Sequence, residues 1–356
     1  PSVMEEIPLR HSIKAAALVT VAALGLAASS SSASTTSTTT AASTAGAPAA
    51  GALKVGMAFD IGGRGDGTFN DLAIKGLERA AKELGATAKE LSPNADGTNR
   101  ADLLRQLADG GYNPIVGVGY AYGDPMDQVA KEYPKVQFFR IDGGPSTVTN
   151  VAVMDFAEQE GSFLVGVAAA KKSKTHHVGF IGGNESTVIN KFAAGFAQGA
   201  KAADPTIVVD DKRLASGDDG KGFGDASGAK VAAAAMYQNG ADIVFTAAGG
   251  SFAGSFPAAK DAGKLVIGVD SDQYNTVSDA SWKPLILTSM VKRVDNAVFL
   301  SIQGFKTDGK LASHSFSLKD DGVGYSTSGG MVDDIKTVLE DFKAQIIAGK
   351  ITVNSK

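Results

Sequence analysis

The sequence predicts an α/β fold with two lobes, each built on a doubly wound parallel sheet. From Leu53 onward, apolar runs rich in β-branched residues alternate with runs of helical length and periodicity. Strands that are apolar on both faces and separated by helices are typical of parallel sheets with βαβ crossovers. Two series of these units follow one another, at about 54–155 and 156–270, and they open with the similar strands VGMAFDIGG and VGFIGGNES. We therefore expect two open sheets whose carboxyl ends face a common cleft, where ligands of such sheets bind.

The first series is predicted to contain four strands separated by helices or loops. Asn70 or Asp71 can cap its first helix and Gly85 can end it, because short polar residues favour helix N-caps and glycine favours the C-terminal position. The predicted strands are KVGMAFDI, PIVGVGYA, VQFFRID and NVAVMDF, and the predicted helices are FNDLAIKGLERAAKELG and DPMDQVAKEYP.

The second series is predicted to continue the same alternation. Gly263 is expected to end its last helix, as Gly85 ends the first one. In chain order the predicted segments are AEQEGSFLVGVAAAKKS, HHVGFIGG, VINKFAAGFAQGAKAAD, IVVDDKRLA, GAKVAAAAMYQNG, DIVFTAA, FPAAKDAG and LVIGVDSD.

The remaining chain is expected to form a hinge of three crossovers. After ILTSMV, the helix KRVDNAVFLSIQGFKTDG should pack on the first lobe, and SFSLKDDGVGYS with the helix VDDIKTVLEDFKAQIIAG should return to the second. The first lobe would then comprise 53–155 with about 291–312, and the second 156–290 with about 313–356. Bending at such crossovers closes a cleft on a ligand.

The N-terminal residues are predicted to direct export. Ala15–Ala28 is an apolar run of signal-peptide length, too short for a stable membrane anchor, and 30–52 is a Ser/Thr/Ala tract typical of an unstructured tether. LGLAASSSS resembles a lipoprotein signal-peptidase site whose lipid-bearing cysteine would stand at Ser29. We therefore expect a signal peptide at 1–29 and a lipid-anchored protein on the outer face of the cytoplasmic membrane. An ordinary secreted protein cut near this point, or a disordered arm without an export role, is the alternative.

The composition argues against nucleic-acid binding and catalysis. The net charge is −4, the pI is near 5.7, and no basic block with interleaved aromatic residues occurs. None of the four histidines follows a strand, so neither a Ser-His-Asp triad nor a histidine-rich metal site is predicted. GGRGDG lacks the spacing and the final Lys-Ser/Thr of a P-loop, and no GxGxxG fingerprint is present. We therefore expect a binding protein that uses no cofactor and no metal.

Polar residues follow several of the predicted strands. An aspartate after a strand usually caps the next helix or makes a turn, and this is how we interpret Asp142 and Asp124. Several such residues on neighbouring parallel strands instead favour a polar ligand site. The strand-end residues are Asp60, Tyr120, Asp142, Asp155, Asp270 and Asp272.

The opening stretch KVGMAFDIGGRGDGTFNDLAIKGLERAAKELGA resembles that of the basic membrane protein family. These are purine-nucleoside receptor lipoproteins that serve ABC transporters as substrate-binding proteins. The resemblance continues in NVAVMDFAEQEGSFLVGVAAA, FAAGFAQGAKAADP, DIVFTAAGGSFAGSFPAAKDAGKLVIGVDSDQ and ILTSMVKRVDNAVF, and it covers Lys54 to Lys356. It implies a Venus-flytrap of the periplasmic-binding-protein type I fold, monomeric, which passes ligand to separate permease and ATPase subunits.

The resemblance also implies which residues bind the nucleoside. The base would stack on aromatic rings, and acids with a lysine would hold the ribose. Thr68 stands where the family has a serine before the stacking phenylalanine. The implied ligand-binding residues are Asp60, Phe69, Asn70, Asp155 as a base contact, Phe252, Asp270 and Lys292, with Phe192 and Gly250 as weaker candidates.

The chemistry of these residue types agrees with such roles. An aromatic platform such as Phe69 contributes ~1–3 kcal/mol per stacked base. Carboxylates accept hydrogen bonds from ring N–H groups and ribose hydroxyls, and the ammonium of Lys292 donates to a hydroxyl while offsetting carboxylate charge. Phe69 could instead pack into the core, and Lys292 could lie on a solvated face. Arg64 and Asp66 are expected on the outer side of the loop.

Other functions remain open from the sequence. A sugar- or autoinducer-binding protein of the same fold would be favoured if Phe69 were buried in the core. A surface adhesin or antigen would be favoured if no small ligand bound, and an enzyme is the weakest alternative.

Overall fold

The computed structural model describes residues 53–217, 220–310 and 312–356. The expected signal peptide at 1–29 and tether at 30–52 lie outside these residues. The strands are β1 (Lys54–Ala58), β2 (Thr87–Leu91), β3 (Ile115–Val118), β4 (Phe138–Ile141), β5 (Val151–Phe156), β6 (His177–Gly182), β7 (Val208–Arg213), β8 (Ile243–Ala247), β9 (Leu265–Asp270), β10 (Ile286–Lys292), β11 (His314–Phe316) and β12 (Val323–Tyr325).

The α-helices connect most of these strands. They are α1 (Phe69–Leu84), α2 (Arg100–Asp109), α3 (Gly123–Glu132), α4 (Glu158–Lys172), α5 (Thr187–Ala203), α6 (Ala226–Gln238), α7 (Ser255–Ala262), α8 (Gln273–Thr276), α9 (Val294–Asp308) and α10 (Lys336–Ile347). Within the described ranges, no helix is both long enough and apolar enough to cross a membrane.

The described strands form two sheets, one in each lobe. The first sheet has the order β11-β5-β4-β3-β1-β2, and the second has the order β12-β10-β9-β8-β6-β7. The pairs are parallel except β10 with β12, which is antiparallel. Strands such as β3 and β8 are buried along their whole length, as expected of parallel strands covered on both faces. The predicted α/β fold with two doubly wound sheets is confirmed.

The chain crosses between the lobes three times. It passes from β5 to α4, from β10 to α9, and from β11 to β12. Helix α9 packs against α1 of the first lobe. Close packing at this contact depends on a glycine, because a Cβ on Gly76 would lie 2.4 Å from the carbonyl oxygen of Asp295.

One segment differs from the expected lobe assignment. Residues from 313 onward were expected in the second lobe, but His314–Phe316 forms β11 and pairs in parallel with β5 of the first sheet. This strand occupies the otherwise open edge of β5, and the ring of Phe316 stacks on that of Phe156 with centroids 5.2 Å apart. The chain returns to the second lobe only after Phe316.

The start of α1 also differs from the prediction. Neither Asn70 nor Asp71 caps this helix. The carboxylate of Asp66 accepts hydrogen bonds from the backbone N–H groups of Thr68, Asn70 and Asp71 at 2.9, 2.8 and 3.1 Å. At the other end, Gly85 takes the left-handed conformation with φ 71° and ends the helix as predicted.

Helices α4 and α5 of the second lobe pack at unusually short range. A Cβ on Gly199 would lie 2.0 Å from the carbonyl oxygen of Phe163, and one on Gly195 would lie 2.1 Å from that of Gln159. The backbones therefore approach to a distance that only glycine permits.

Candidate functional site

A cavity lies between the carboxyl ends of the two sheets. It encloses about 530 Å³ of empty space, including the part that is open to solvent. Side chains from both lobes line it.

Six of the residues predicted to bind ligand line this cavity. They are Asp60, Phe69, Asn70, Phe192, Asp270 and Lys292. Their binding role stays a prediction, since only their position is observed.

Asp60 is held in place at the end of β1. Its Oδ1 atom accepts a hydrogen bond from Arg100 at 2.8 Å, and its backbone N–H donates to Oδ1 of Asn70 at 3.1 Å. Its Oδ2 atom lies against Gly119, where a Cβ would be only 2.4 Å away and φ is +110°. Glycine is required at position 119 on both counts.

The glycine-rich loop before α1 is built around two carboxylates. The carboxylate of Asp66 accepts hydrogen bonds from backbone N–H groups in the first turn of α1. The carboxylate of Asp71 accepts hydrogen bonds from the backbone N–H groups of Gly65 and Gly67 at 2.7 and 2.9 Å. Asp66 was expected on the outer side of the loop, but it lines the cavity. Burial raises the pKa of its carboxyl group, although the hydrogen bonds from backbone N–H groups act in the opposite direction. Arg64 does lie outside, paired with Glu90 at 2.6 Å.

Aromatic rings of both lobes line the cavity. Phe69 begins α1 and is only partly buried, while Phe192 on α5 is buried. Phe223 lies in a 3₁₀ turn of the second lobe, and its ring meets that of Tyr120 edge-on with centroids 6.3 Å apart. Tyr120 also accepts a hydrogen bond from the side-chain amide of Asn184 across the cleft.

Lys292 is the centre of a buried charge cluster. Its Nζ atom lies 2.7 Å from Asp142 and 2.9 Å from Glu158, and all three side chains are almost fully buried. Burial alone would lower the pKa of Lys292, but the carboxylates of Asp142, Glu158 and Asp270 outweigh it and raise the pKa. The ammonium therefore stays charged at neutral pH.

Asp270 and Asp142 line the cavity, and both carboxyl groups have raised pKa values. Burial raises the pKa of Asp270 to about 7, against the opposing charge of Lys292. Burial also raises the pKa of Asp142, and Lys292 again opposes the shift. A buried carboxyl with a raised pKa is a good hydrogen-bond partner for hydroxyl groups, since it can accept when charged and donate when protonated.

Three predicted site residues do not line the cavity. Asp155 is paired with Lys191 at 2.9 Å instead. Phe252 packs on Phe256, with centroids 5.6 Å apart, and Gly249 lines the cavity in place of Gly250. The strand-end argument located the right edge of the sheet but could not say which neighbouring side chain turns inward.

Other cavity residues were missed by sequence reasoning. Asp142 was interpreted as a turn residue; its φ of +74° is indeed a turn conformation, but its carboxylate points to Lys292. Its position directly after β4, like that of Asp60 after β1, is the signal that could have found it. Phe223 lies in the stretch GKGFG, where no periodicity marks it.

Comparisons with known proteins show the family of this chain. Residues 53–356 match the model of the family described as Bmp, ABC transporter substrate-binding protein PnrA-like. The chain belongs to this family. Substrate-binding proteins of ABC transporters are extracytoplasmic proteins that bind small-molecule ligands and work with the transporter components.

Two relatives and one solved structure illustrate the similarity. The chain is 35% identical over 326 residues to the ABC transporter nucleoside-binding protein BmpA of Lactococcus lactis, covering 85% of this chain and 90% of the relative. It is 33% identical over 329 residues to a CD4+ T-cell-stimulating antigen of Listeria monocytogenes, covering 85% and 88%. It superposes with a TM-score of 0.74 on an ABC transporter solute-binding protein from Aeropyrum pernix at 27% identity, covering 85% and 94%.

Proposed function

We propose that this protein captures nucleosides, with purine nucleosides favoured, in the cavity between its lobes and delivers them unchanged to an ABC importer. The observation that carries the proposal is the meeting of a partly exposed aromatic ring, Phe69, with the charged group of Lys292, whose Nζ lies 5.1 Å from the ring centroid. A nucleoside needs both features, because it joins a flat apolar base to a hydroxylated sugar.

The aromatic residues are assigned to the base. Phe69 from the first lobe and Phe223 from the second line the same cavity, so we propose that the base stacks between the lobes on these rings. Phe223 takes the role that the sequence had suggested for Phe252. A stacked base contributes ~1–3 kcal/mol per ring.

The charged residues are assigned to the ribose. Adjacent hydroxyls are two donors and suit the carboxylates of Asp270 and Asp142, while Lys292 donates to a hydroxyl oxygen. Asp60 faces the same cavity and is neutralised by Arg100. Asn70 is the remaining polar candidate, although its amide already holds the strand end and the loop together.

A sugar-binding function is less well supported. It would be favoured by burial of Phe69 in the core, whereas this ring lies at the cavity and is only partly buried. The name of the Lactococcus lactis relative, at 35% identity, also favours a nucleoside.

We propose a monomer that is held at the membrane by an N-terminal lipid, with the lipid-bearing position at residue 29, and that docks on separate permease and ATPase subunits. It binds its ligand without a cofactor or metal and performs no chemistry on it.

A thermal-shift screen tests the function. The purified chain is heated with nucleosides, free bases, nucleotides or monosaccharides, each in excess; a ligand at 100 times its dissociation constant stabilises by about 2.7 kcal/mol. We expect a shift with nucleosides that is lost in Phe69→Ala. The matched control is Phe342→Ala, since Phe342 packs on Phe163 of the core, 5.5 Å between centroids, and should retain the ligand-induced shift. If only monosaccharides raise the melting temperature, the protein binds sugars and not nucleosides. If no ligand raises it, an antigen or adhesin is favoured.

A further inference from the structure

Charged side chains form a continuous series of ion pairs across the boundary between the lobes. Its members alternate in sign and are Asp142, Lys292, Glu158, Lys191 and Asp155. Successive pairs are separated by 2.7, 2.9, 3.1 and 2.9 Å. The first two members line the cavity, and the last three do not.

The side chains of this ion-pair series belong to different lobes. Lys292 ends β10 of the second sheet and Lys191 lies on α5, while Glu158 begins α4, which packs on both α5 and β10. The second lobe therefore carries both lysines and the carboxylate between them. Asp142 directly follows β4 and Asp155 lies in β5 of the first sheet, so each lysine faces one carboxylate of the opposite lobe.

Glu158 is the member that joins the two interlobe pairs. Its side chain is fully buried, with Oε1 at 2.9 Å from Lys292 and Oε2 at 3.1 Å from Lys191. Neither oxygen accepts a well-aligned hydrogen bond within the described residues, so its contacts to the lysines are ionic. A buried carboxylate is tolerated only when it is compensated by opposite charge. Both lysines are therefore tied to the position of this one group.

We propose that Glu158 is a positioning residue that makes the ion pair inside the cavity, Lys292 with Asp142, form together with the pair outside it, Lys191 with Asp155. When the lobes separate, both lysines lose their first-lobe carboxylates at once and share Glu158 alone. When the lobes close, the outer pair holds Lys292 against Asp142 in the arrangement that the ligand meets. The inference rests on the proposed function, since it assigns Lys191 and Glu158 an effect on ligand retention without ligand contact.

The outer pair should affect mainly the dissociation rate. Lys191 is 14% exposed and also donates to the backbone oxygen of Phe156 at 2.8 Å, so Lys191→Met removes a partly desolvated contact of the closed form. Loss of one partner of such a pair acts chiefly on dissociation. We expect adenosine to leave Lys191→Met about tenfold faster than the wild-type chain, with the order of preference among nucleosides unchanged.

The test measures ligand release and lobe separation in the same set of variants. Asp155→Asn and Glu158→Gln accompany Lys191→Met. The control is Lys172→Met, which removes a lysine whose partner, Asp334, lies 2.8 Å away within the second lobe. Adenosine release is followed by stopped flow at low and high salt. The sequence contains no cysteine, so a cysteine can be introduced in each lobe for spin labelling. Lys131 and Lys201, which are exposed, are replaced for this purpose. The distance between the two labels then reports the separation of the lobes without ligand.

The outcomes separate the two proposals. Support consists of faster release, a flatter salt dependence and a longer mean interlobe distance in Lys191→Met and Asp155→Asn but not in Lys172→Met. If the wild-type chain binds no nucleoside while Lys191→Met still separates the lobes, the nucleoside assignment fails and the coupling stands. If Lys191→Met matches the wild-type chain in release and distance, the coupling is wrong and the nucleoside assignment stands. If the coupling is wrong, Glu158→Gln should also match the control Lys172→Met in adenosine release and in interlobe distance.

Discussion

Lys292 is a fully buried cation between Asp142 and Glu158. Its removal leaves the buried carboxylate of Asp142 without its ion-pair partner and leaves Glu158 with Lys191 alone. Breaking a buried pair in this way costs about 3–5 kcal/mol. We therefore expect Lys292→Met to lower the free energy of unfolding by about that amount, measured by urea denaturation. The double variant Lys292→Met with Asp142→Asn should recover part of the loss. Lys306→Met is the surface control and should stay within about 0.5 kcal/mol of the wild-type chain; a Lys292→Met variant equally close to wild type would contradict the assignment.

Asp270 predicts a pH dependence of the ligand-free protein. Its folded pKa is raised to about 7 by burial, from an ordinary value of 3.8. Its contribution to stability is therefore fully present below pH 3.8 and is lost as the pH rises through about 7. We expect Asp270→Asn, which cannot ionise, to gain stability relative to the wild-type chain between pH 5 and pH 8, by about 2–3 kcal/mol at 1.4 kcal/mol per pKa unit. Urea denaturation of both proteins at the two pH values measures this gain; a constant difference would show that Asp270 titrates normally.

The cavity residues show what a sequence reveals at this scale. Asp60 and Asp270 could be found because each directly follows an apolar strand, and parallel strands bring their carboxyl ends to one edge. Asp155 occupies an equivalent position but turns to Lys191, a partner that lies 36 residues away and that no local pattern indicates. Phe223 reaches the cavity from a turn, where neither strand nor helix periodicity applies.

Elements were easier to predict than side-chain directions. Long periodic segments such as α1 and α5 were found from their apolar spacing, and α1 ends at Gly85 as expected. Strand β11 was placed in the wrong lobe because three residues, HSF, carry too little pattern to choose between two sheet edges. Pairing with β5 and stacking of Phe316 on Phe156 decide its position, and both are tertiary contacts.

The contact between α4 and α5 depends on the absence of side chains. An alanine at Gly199 would place its Cβ 2.0 Å from the carbonyl oxygen of Phe163, so the helices must move apart. We expect Gly199→Ala to lower the melting temperature, with a cost of about 1–3 kcal/mol, typical of overpacking. Gly304→Ala in α9 is the matched control. It has no heavy atom within 4 Å of its Cβ position and should stabilise by up to about 1 kcal/mol through helix propensity. Equal effects of the two substitutions would exclude close packing as the cause.

At the scale of the whole molecule, the lobes meet through polar contacts on both sides of the cavity. Ser271 of the second lobe donates to the carbonyl oxygen of Gly67 of the first at 3.0 Å, and the amide of Asn184 donates to the hydroxyl of Tyr120. The two-lobed fold followed from the alternation of strands and helices and from family resemblance, whereas these contacts depend on how the lobes close. A sequence pattern describes each lobe separately, so it could not reveal them.

The contact between Tyr120 and Asn184 should therefore contribute to ligand affinity. Asn184 is fully buried and its Oδ1 atom has no hydrogen-bond partner among the described residues, so loss of the tyrosine hydroxyl leaves the amide further unsatisfied. We expect Tyr120→Phe and Asn184→Ala each to weaken nucleoside binding, with a coupling of about 1 kcal/mol in a double-mutant cycle measured by calorimetry. Tyr325 and Glu340 form the control cycle, since their hydrogen bond of 2.6 Å lies within the second lobe and should show coupling in stability alone. Coupling in affinity for the control pair, or none for Tyr120 with Asn184, would mean that ligand retention does not depend on this contact between the lobes.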